Sequence, residues 1–273
     1  MVSWHLHSVQ GLSYITLPEW QKQGLTVAIT TRTGGFSQGE YSSLNLAFHV
    51  GDDQTAVLSN RELLASVLRI SLADMVCACQ VHKANVRIVT EADKGKGVFE
   101  YASALPETDA MVTDCEGVFL TTFYADCIPI LLFDVTRRVI GLAHGGWKGT
   151  MAKIASATVE VMRKEFGSYP QDIKAFIGPG IGGCCYEVDD GLAAQVRTVF
   201  GKDSRFLLEE KQGRNYWYLD RTNFFILENA GLHHQNIGLC GMCTRCNQEL
   251  FYSYRGSGGR TGRFAVVLGF NKR

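Results

Sequence analysis

The sequence predicts an α/β or α+β fold with mixed sheets. Short apolar runs rich in β-branched and aromatic residues alternate with stretches that carry apolar residues at helical spacing. In the centre of the chain, three predicted strands follow one another with no helix between them, at residues 119–124, 128–133 and 139–143. Parallel neighbours need a long crossover connection, so this succession favours mixed sheets over a doubly wound parallel sheet.

The composition is that of a globular protein. The chain has 273 residues, of which 46% are hydrophobic and 20% charged, with no repeat or low-complexity linker. We therefore predict a single catalytic domain over residues 1–273. A formal net charge of zero provides no general attraction for nucleic acid. The apolar runs are too short to span a bilayer, and the first residues, MVSWHLHSVQ, are not typical of a signal peptide. We expect a cytoplasmic protein with no nucleic-acid or membrane partner, and the neutral charge is compatible with a homodimer.

Before the centre, the pattern predicts five strands and one helix. The helix, at 55–69, has an apolar stripe that includes Val57, Leu64 and Leu68. It follows Asp52 and Asp53, which suit a helix N-terminus. The strands are β-rich apolar runs at 12–17, 25–31, 75–79, 84–90 and 109–113.

After the centre, glycine-rich turns separate the predicted elements. Residues 145–149 form a turn into a helix at 150–166, and a strand at 172–177 runs into a Gly/Pro-rich segment at 178–183. A helix then ends near residue 200, and a polar connection at 202–213 leads to a strand at 217–219. The next helix is capped by Asp220 and ended by Gly231. A strand from Tyr252, an Arg/Gly loop and a last strand at 264–270 complete the chain.

Two histidines and one cysteine fall where predicted strands break or end. His82 follows the strand at 75–79, Cys127 separates 119–124 from 128–133, and His144 ends the strand at 139–143. Open α/β sheets tend to place their chemistry at strand ends. Two imidazoles and a thiolate suit Zn²⁺ and leave a fourth position for water. The long spacing by itself favours a simpler interpretation, a buried thiol and two hydrogen-bonded histidines.

Six motifs spread over nearly the whole chain resemble one bacterial family. They are TTRTGGFSQGEYSSLNLAFHVGDD, QVHKANV, YADCIPILLFD, AHGGWKGT, FIGPGIGGCCYEV and YSYRGSGGRTGRFA. Together they are similar to the family described as laccase-like polyphenol oxidoreductases and as purine nucleoside phosphorylases. The resemblance implies a four-layer α-β-β-α sandwich. It also implies that His82, Cys127 and His144 hold a catalytic metal ion, usually Zn²⁺, with Cu²⁺ as the other candidate.

The resemblance also indicates substrate-binding positions. Arg32, Asn45 and His49 occupy the family's T-R-x-G-G, S-L-N and H-V-G motifs. A guanidinium and an amide from two loops suit phosphate or a ribose hydroxyl. The alternative is that Arg32 and Asn45 tie loops together and that His49 is a structural histidine. Lys148 stands beside the glycine turn and a helix N-terminus, a combination that favours phosphate.

The implied activity is zinc-dependent phosphorolysis of purine nucleosides. Adenosine, inosine or methylthioadenosine would react with phosphate to give the base and ribose 1-phosphate, with Lys148 and Arg32 holding phosphate. Adenosine deaminase activity is also expected, because zinc lowers the pKa of bound water to about 7 and supplies hydroxide. Asp126, next to Cys127 in the sequence, is the carboxylate expected to relay protons.

Three alternatives remain open. Cys127 and His144 could be the nucleophile and base of a metal-free amide hydrolase that edits peptidoglycan precursors. Copper-dependent polyphenol oxidation, as in laccases, needs several coppers and many histidine ligands, whereas the chain has 7 histidines. The third alternative is a metal-binding protein without catalytic activity. Metal analysis separates the first from the zinc interpretation.

Nine cysteines are many for this length, and we expect reduced thiols rather than disulfides. Four lie in or beside apolar runs and are predicted to fill the core: Cys77, Cys79, Cys184 and Cys185. Three more, Cys240, Cys243 and Cys246, have C-x-x-C-x-x-C spacing, which taken alone suggests an Fe–S or zinc site. Because no fourth ligand follows them, we predict three neighbouring thiols in a turn.

Two further expectations concern polar residues. Asp109 is predicted to be an ordinary carboxylate at a strand end, although it could face the metal site. The C-terminal loop carries Arg255, Arg260 and Arg263, which could close over an anionic substrate. The favoured interpretation is that they are solvated or paired with surface acids.

Overall fold

A computed structural model describes residues 2–272, which form a mixed α/β fold. The strands within them are β1 His5–Val9, β2 Leu12–Thr16, β3 Leu25–Thr30, β4 Met75–Cys77, β5 Val86–Ile88, β6 Ala110–Thr113, β7 Phe119–Tyr124, β8 Ile128–Asp134, β9 Val139–Gly145, β10 Ile173–Ile177, β11 Glu187–Val188, β12 Leu208–Lys211, β13 Arg214–Trp217, β14 Ile237–Leu239 and β15 Phe264–Phe270. The α-helices are α1 Pro18–Gln21, α2 Gln54–Leu68, α3 Trp147–Met151, α4 Ile154–Phe166, α5 Asp190–Phe200, α6 Ser204–Leu207 and α7 Leu219–Asn229. None of these helices combines the length and the apolar character needed to cross a membrane.

Two six-stranded sheets dominate the fold. The strand order is β1-β2-β3-β15-β7-β4 in the first and β14-β10-β8-β9-β6-β5 in the second. Parallel pairs occur at the edges, between β4 and β7, β10 and β14, and β5 and β6. The central pairs are antiparallel, as between β8 and β9. Both sheets are therefore mixed, as predicted, and β11-β13-β12 form a small third sheet.

Buried side chains on both faces of the central strands define four layers. Along β8, Leu131 and Phe133 face the first sheet, whereas Ile130 and Leu132 face the helices α4, α5 and α7. This alternation explains why β8 reads as one continuous apolar run. On the other side, the first sheet packs against α2 and its neighbouring loops. The order helix, sheet, sheet, helix confirms the predicted α-β-β-α sandwich.

Four local predictions are wrong. The polar connection predicted at 202–213 contains α6 and the exposed strand β12, whose LEEK sequence has no apolar alternation. Asp220 does not cap α7, because Tyr218 is the N-cap residue and Asp220 lies in the first turn. Tyr252 lies in no strand. The helix predicted at 150–166 starts earlier and breaks at Lys153, where φ is 58°.

Two loops cross from one large sheet to the other at the same end of the sandwich. The loop from β4 to β5 carries His82, and the loop from β7 to β8 carries Cys127. Since β4 and β7 are neighbours in the first sheet, both loops leave it side by side. His144 lies on β9, paired opposite Pro129 of β8. The topology thus brings three distant residues together.

Candidate metal centre

His82, Cys127 and His144 converge at this end of the sandwich. Their donor atoms all lie within 4.8 Å of one another. The two imidazole rings meet edge to face, with centroids 4.8 Å apart. His144 is buried, Cys127 is half-buried and His82 is exposed, so the group opens toward solvent on the His82 side. Two imidazoles and one thiolate in this arrangement fit a single metal ion with one coordination position left free.

The buried carboxylate of Asp109 fixes both histidines. It accepts hydrogen bonds from the backbone N–H groups of His82 and Lys83, each at 2.8 Å. Its Oδ1 atom also lies 3.0 Å from Nδ1 of His144. Because Asp109 binds Nδ1, the other ring nitrogen, Nε2, is left for Cys127 or a metal. The expectation of an ordinary strand-end carboxylate at Asp109 is therefore wrong.

Gln80 ties the His82 loop to the end of β7. Its side-chain amide accepts a hydrogen bond from the N–H of Phe123 at 2.8 Å and donates one to the Phe123 carbonyl at 3.0 Å. These two bonds keep the segment at Gln80 beside β7, although the backbone pairing of β4 with β7 ends at Cys77. His82 then takes a left-handed backbone conformation, with φ at 61°, and turns into the group.

The glycine at position 146 leaves the space that the three side chains occupy. A Cβ atom there would lie 3.0 Å from Cδ2 of His82 and 3.1 Å from Sγ of Cys127. Both distances are shorter than ordinary van der Waals contacts, so any larger residue would displace the donors. The second glycine of the AHGGW motif thus has a steric role in the site.

Without metal, Cys127 and His144 form a thiolate–imidazolium pair. Burial alone would raise the pKa of the Cys127 thiol, but the charge of His144 and hydrogen bonds with both histidines lower that pKa to about 6. Burial alone would lower the pKa of His144, but the Cys127 thiolate and Asp109 raise it to about 9. A thiolate, the form that binds metals and attacks electrophiles, is therefore present at neutral pH.

The pH dependence of thiol alkylation measures this pairing. Since the pKa of Cys127 is lowered, its thiolate persists at neutral pH and is lost only as the pH falls through about 6. We expect iodoacetamide to modify Cys127 of metal-free protein with that midpoint. Peptide mass spectrometry follows Cys127 separately from Cys115, a half-buried thiol outside the group that serves as an internal control. Equal midpoints for the two thiols would contradict the pairing.

The three side chains form part of the wall of a cavity of about 530 Å³. This volume is typical of sites for small molecules. Four aromatic side chains line the rest of the wall, from Phe123, Trp147, Tyr186 and Tyr254. Aromatic faces of this kind stack on planar ligands. The cavity therefore combines flat apolar surfaces with a candidate metal position.

Two arginines from the C-terminal loop also line the cavity, Arg255 and Arg263. Arg263 is half-buried, and its guanidinium donates to the carbonyls of Thr261 and Gly262. Arg255 lines the cavity but is also exposed, so the favoured prediction of solvated or surface-paired arginines is wrong only for Arg263. It holds for Arg260, whose guanidinium pairs with Glu40 at 2.6 Å.

Two further residues predicted from the sequence, His49 and Asp126, line the same cavity. The His49 ring is open to the cavity, yet the surrounding protein excludes water from it. This burial and the positive charges of Arg263 and Arg61 together lower the pKa of His49 to about 4. Asp126 accepts hydrogen bonds from the Thr244 hydroxyl at 2.6 Å and the Arg255 N–H at 2.7 Å. His49 is therefore neutral at pH 7, and the Asp126 carboxylate holds two loops together.

The other three predicted substrate residues lie outside the cavity wall. The Arg32 guanidinium donates to the carbonyls of Ser42 and Gln248. Asn45 is buried, and its Oδ1 atom accepts the N–H of Arg263 at 2.9 Å. Lys148 is exposed, with Nζ 5.4 Å from the centroid of the Trp147 ring. Arg32 and Asn45 thus hold loops together, as in the alternative interpretation, and a direct role of Arg32, Asn45 and Lys148 in substrate binding stays a prediction from the sequence alone.

Comparisons with known proteins agree with this fold. The profile of the family described as "multi-copper polyphenol oxidoreductase laccase" matches residues 26–271. Purine nucleoside phosphorylase YlmD from Bacillus subtilis (strain 168) is 36% identical over 279 residues, which cover 100% of both chains. The crystal structure of YlmD from Geobacillus stearothermophilus has a TM-score of 0.93 at 36% identity and 100% coverage of both chains. Adenosine deaminase RL5 from an unknown prokaryotic organism is 33% identical over 242 residues, covering 88% of this chain and 92% of its own.

Proposed function

The chain belongs to the multi-copper polyphenol oxidoreductase laccase family, and we propose that it is a metal-dependent purine nucleoside phosphorylase with adenosine deaminase activity. The observation that carries the proposal is the composition of one cavity wall. That wall joins the His82, Cys127 and His144 group to two arginines and four aromatic rings. A purine nucleoside offers a flat base for the rings, and phosphate offers an anion for the arginines. The names of the relatives, purine nucleoside phosphorylase and adenosine deaminase, support the same assignment.

We propose Zn²⁺ as the metal held by His82, Cys127 and His144. The donor set fits, because Cys127 is a thiolate at neutral pH. Asp109 occupies Nδ1 of His144, which leaves Nε2 of that ring for the metal. When bound, zinc acts as a Lewis acid that polarises an oxygen atom or activates water. Among residues 2–272, the only other group with metal-ligand geometry contains four cysteines and no histidine. Such a set does not supply the several histidine-rich sites that laccase chemistry needs, so copper is the weaker candidate.

The remaining cavity residues would bind the two substrates. Stacking of a base on an aromatic side chain contributes about 1–3 kcal/mol, and Phe123 and Trp147 lie in the same cavity wall as the three donors. The guanidiniums of Arg255 and Arg263 suit the oxygens of phosphate. Asp126 and His49 border the same space, and we propose that one of them relays a proton from water to the leaving base or the departing amine.

Kinetic analysis of four cation variants identifies the groups that bind phosphate. We expect Arg263→Gln to raise the KM for phosphate about tenfold or more, since each tenfold step equals roughly 1.4 kcal/mol of binding energy. Lys148→Ala and Arg32→Gln remove the cations predicted from the sequence, and Arg260→Gln removes a surface-paired one. We expect these three to change the KM for phosphate less than about threefold. A larger effect of Lys148→Ala than of Arg263→Gln would contradict the assignment.

Reconstitution with different metals tests the function itself. Protein stripped by a chelator is assayed with adenosine, inosine and methylthioadenosine in phosphate buffer, before and after zinc or copper is returned. We expect base release to disappear on stripping and to return with zinc. Copper-loaded protein should not oxidise phenols. Base release that survives complete removal of the metal would refute the metal-dependent proposal.

One observation favours a second candidate, a Cys/His amide hydrolase. In such an enzyme the nucleophile would be Cys127, the base would be His144, and the carboxylate that orients the base would be Asp109. Such an enzyme would cleave amides of peptidoglycan precursors without a metal. Hydrolysis of these amides by protein treated with a chelator, and inhibition of that hydrolysis by added zinc, would favour this candidate over the phosphorylase.

We propose further that the chain acts as one catalytic domain in the cytoplasm. The residues that line the cavity come from distant parts of the chain, the first being His49 and the last Arg263. The two large sheets also share one core. All nine cysteines are free thiols, a state that a reducing compartment maintains.

A further inference from the structure

Four cysteines meet at a second place, on the surface beside the active site. Sγ of Cys246 lies 3.4 Å from Sγ of Cys185 and 3.6 Å from Sγ of Cys184. Cys243 completes the group, and all four sulfur atoms lie within 4.8 Å of one another. This four-thiol group lies apart from His82, Cys127 and His144.

The group departs from the sequence predictions in two ways. Cys184 is exposed and does not fill the core as predicted, whereas Cys185 is half-buried and packs only at the border of the core. Cys240 lies outside the group and is buried, whereas Cys243 and Cys246 belong to it. The prediction of three neighbouring thiols in a turn is therefore wrong. The two missing ligands precede the C-x-x-C pair in the sequence by about sixty residues, where no local spacing rule finds them.

The sulfur positions fit a tetrahedral metal ion. A Zn–S distance of about 2.3 Å places tetrahedral ligand sulfurs about 3.8 Å apart. The separations of 3.4 and 3.6 Å lie close to that value, and none of the others exceeds 4.8 Å. They are far longer than the roughly 2.05 Å of a disulfide bond. The Cys243 sulfur also accepts the N–H of Gly182 at 3.2 Å, the kind of backbone hydrogen bond that stabilises a ligating thiolate.

The neighbouring sulfur atoms affect one another's ionisation. Burial and hydrogen bonds among the sulfurs raise the pKa of Cys184 well above its usual range and that of Cys185 to about 11. The pKa of Cys243, by contrast, is lowered, because backbone N–H groups and neighbouring thiols outweigh its burial. A divalent ion would deprotonate all four.

The four-thiol group joins two loops that border the active site. Cys184 and Cys185 follow the Gly/Pro-rich segment after β10, and Cys243 and Cys246 follow β14. The two loops already meet at a backbone bridge between Gly180 and Cys243. From there, contacts lead directly to the cavity. The N–H of Ile181 donates to the Asp126 carbonyl at 2.8 Å, and the Thr244 hydroxyl donates to the Asp126 carboxylate.

We propose that Cys184, Cys185, Cys243 and Cys246 bind one structural Zn²⁺ ion that pins these two loops and so positions Asp126 and the cavity wall. Four thiolates and no open position are the features of a structural rather than a catalytic zinc site. The site is independent of the metal proposed at Cys127. Each can be emptied without removing a ligand of the other.

Counting zinc per chain tests the proposal. We expect two zinc ions in the wild-type protein, one in Cys127→Ala and one in Cys184→Ser/Cys246→Ser, measured by elemental analysis after gel filtration. Cys115→Ser, which removes a thiol outside both groups, should keep both ions. Cobalt bound to Cys127→Ala should give the intense thiolate charge-transfer absorption of a four-sulfur site. The double variant uses the two exposed cysteines to limit damage to folding, and circular dichroism checks that it is folded.

The outcomes separate the two metal sites. Loss of one zinc ion in the folded Cys184→Ser/Cys246→Ser variant supports the four-thiol site, whether or not Cys127 also binds metal. An unchanged zinc content in that variant refutes it. So does a disulfide within the group, found by peptide mass spectrometry of protein purified without oxidant. Neither of these two results would contradict the phosphorylase proposal.

Discussion

Replacing Cys127 with alanine should abolish phosphorolysis while leaving the fold intact. The variant removes the only sulfur donor of the His82, Cys127 and His144 group, and two imidazoles hold zinc far more weakly than a set that includes a thiolate. We expect kcat/KM for adenosine and phosphate to fall at least about a thousandfold, which equals roughly 4 kcal/mol of transition-state stabilisation. The measurement is initial-rate kinetics on protein of known zinc content.

Two controls make the Cys127 result specific. Cys115→Ala removes a thiol outside both cysteine-containing groups and should retain full activity. His82→Ala removes an exposed donor of the same group and should lower activity nearly as much as Cys127→Ala. Full phosphorolysis by zinc-free Cys127→Ala would show that the metal group is not the catalytic centre.

Replacing Asp109 with asparagine should weaken metal binding about 10- to 100-fold, as is usual when a carboxylate that orients a histidine ligand is lost. An amide offers one oxygen, whereas the carboxylate serves two backbone N–H groups and Nδ1 of His144. One buried donor would then face the amide NH₂ group without a partner. Zinc affinity is measured by competition with a fluorescent chelator.

Added zinc distinguishes a positioning role from a catalytic one. If Asp109 acts through the metal ligands, saturating zinc should restore most of the kcat of Asp109→Asn. Glu107→Gln, which changes an exposed carboxylate of the same loop that pairs with Lys83, should bind zinc as the wild type does. An unaltered zinc affinity in Asp109→Asn would contradict the role assigned to this carboxylate.

The central strands could be predicted from the sequence because burial on both faces leaves a continuous apolar run. β7 and β15 have the predicted bounds, and β8 and β9 differ from them by one and two residues. The hairpin of β12 and β13 could not be predicted in the same way. Its first strand is exposed and charged, so backbone pairing holds it rather than an apolar face.

Apart from the resemblance of their motifs to the family, the sequence locates the three donors of the metal group only as residues at strand breaks. What joins them is the crossing of two loops between sheets, which no spacing rule expresses. The predictions for Asp109 and Arg263 are wrong for the same reason, since each residue acquires its role from partners far along the chain, His144 and the cavity wall. The four-thiol group is the clearest case, because half of its ligands look like ordinary core cysteines in the sequence.

The fate of labelled phosphate tests the central claim most directly. Zinc-loaded protein is incubated with adenosine and oxygen-isotope-labelled phosphate, and the products are separated and analysed by mass spectrometry. Phosphorolysis in the cavity predicts adenine together with ribose 1-phosphate that retains the label, no adenine without phosphate, and neither product from Cys127→Ala. Inosine formed alongside would report the deaminase activity. Adenine released with unlabelled free ribose, or no product from fully zinc-loaded protein, would contradict the phosphorylase proposal.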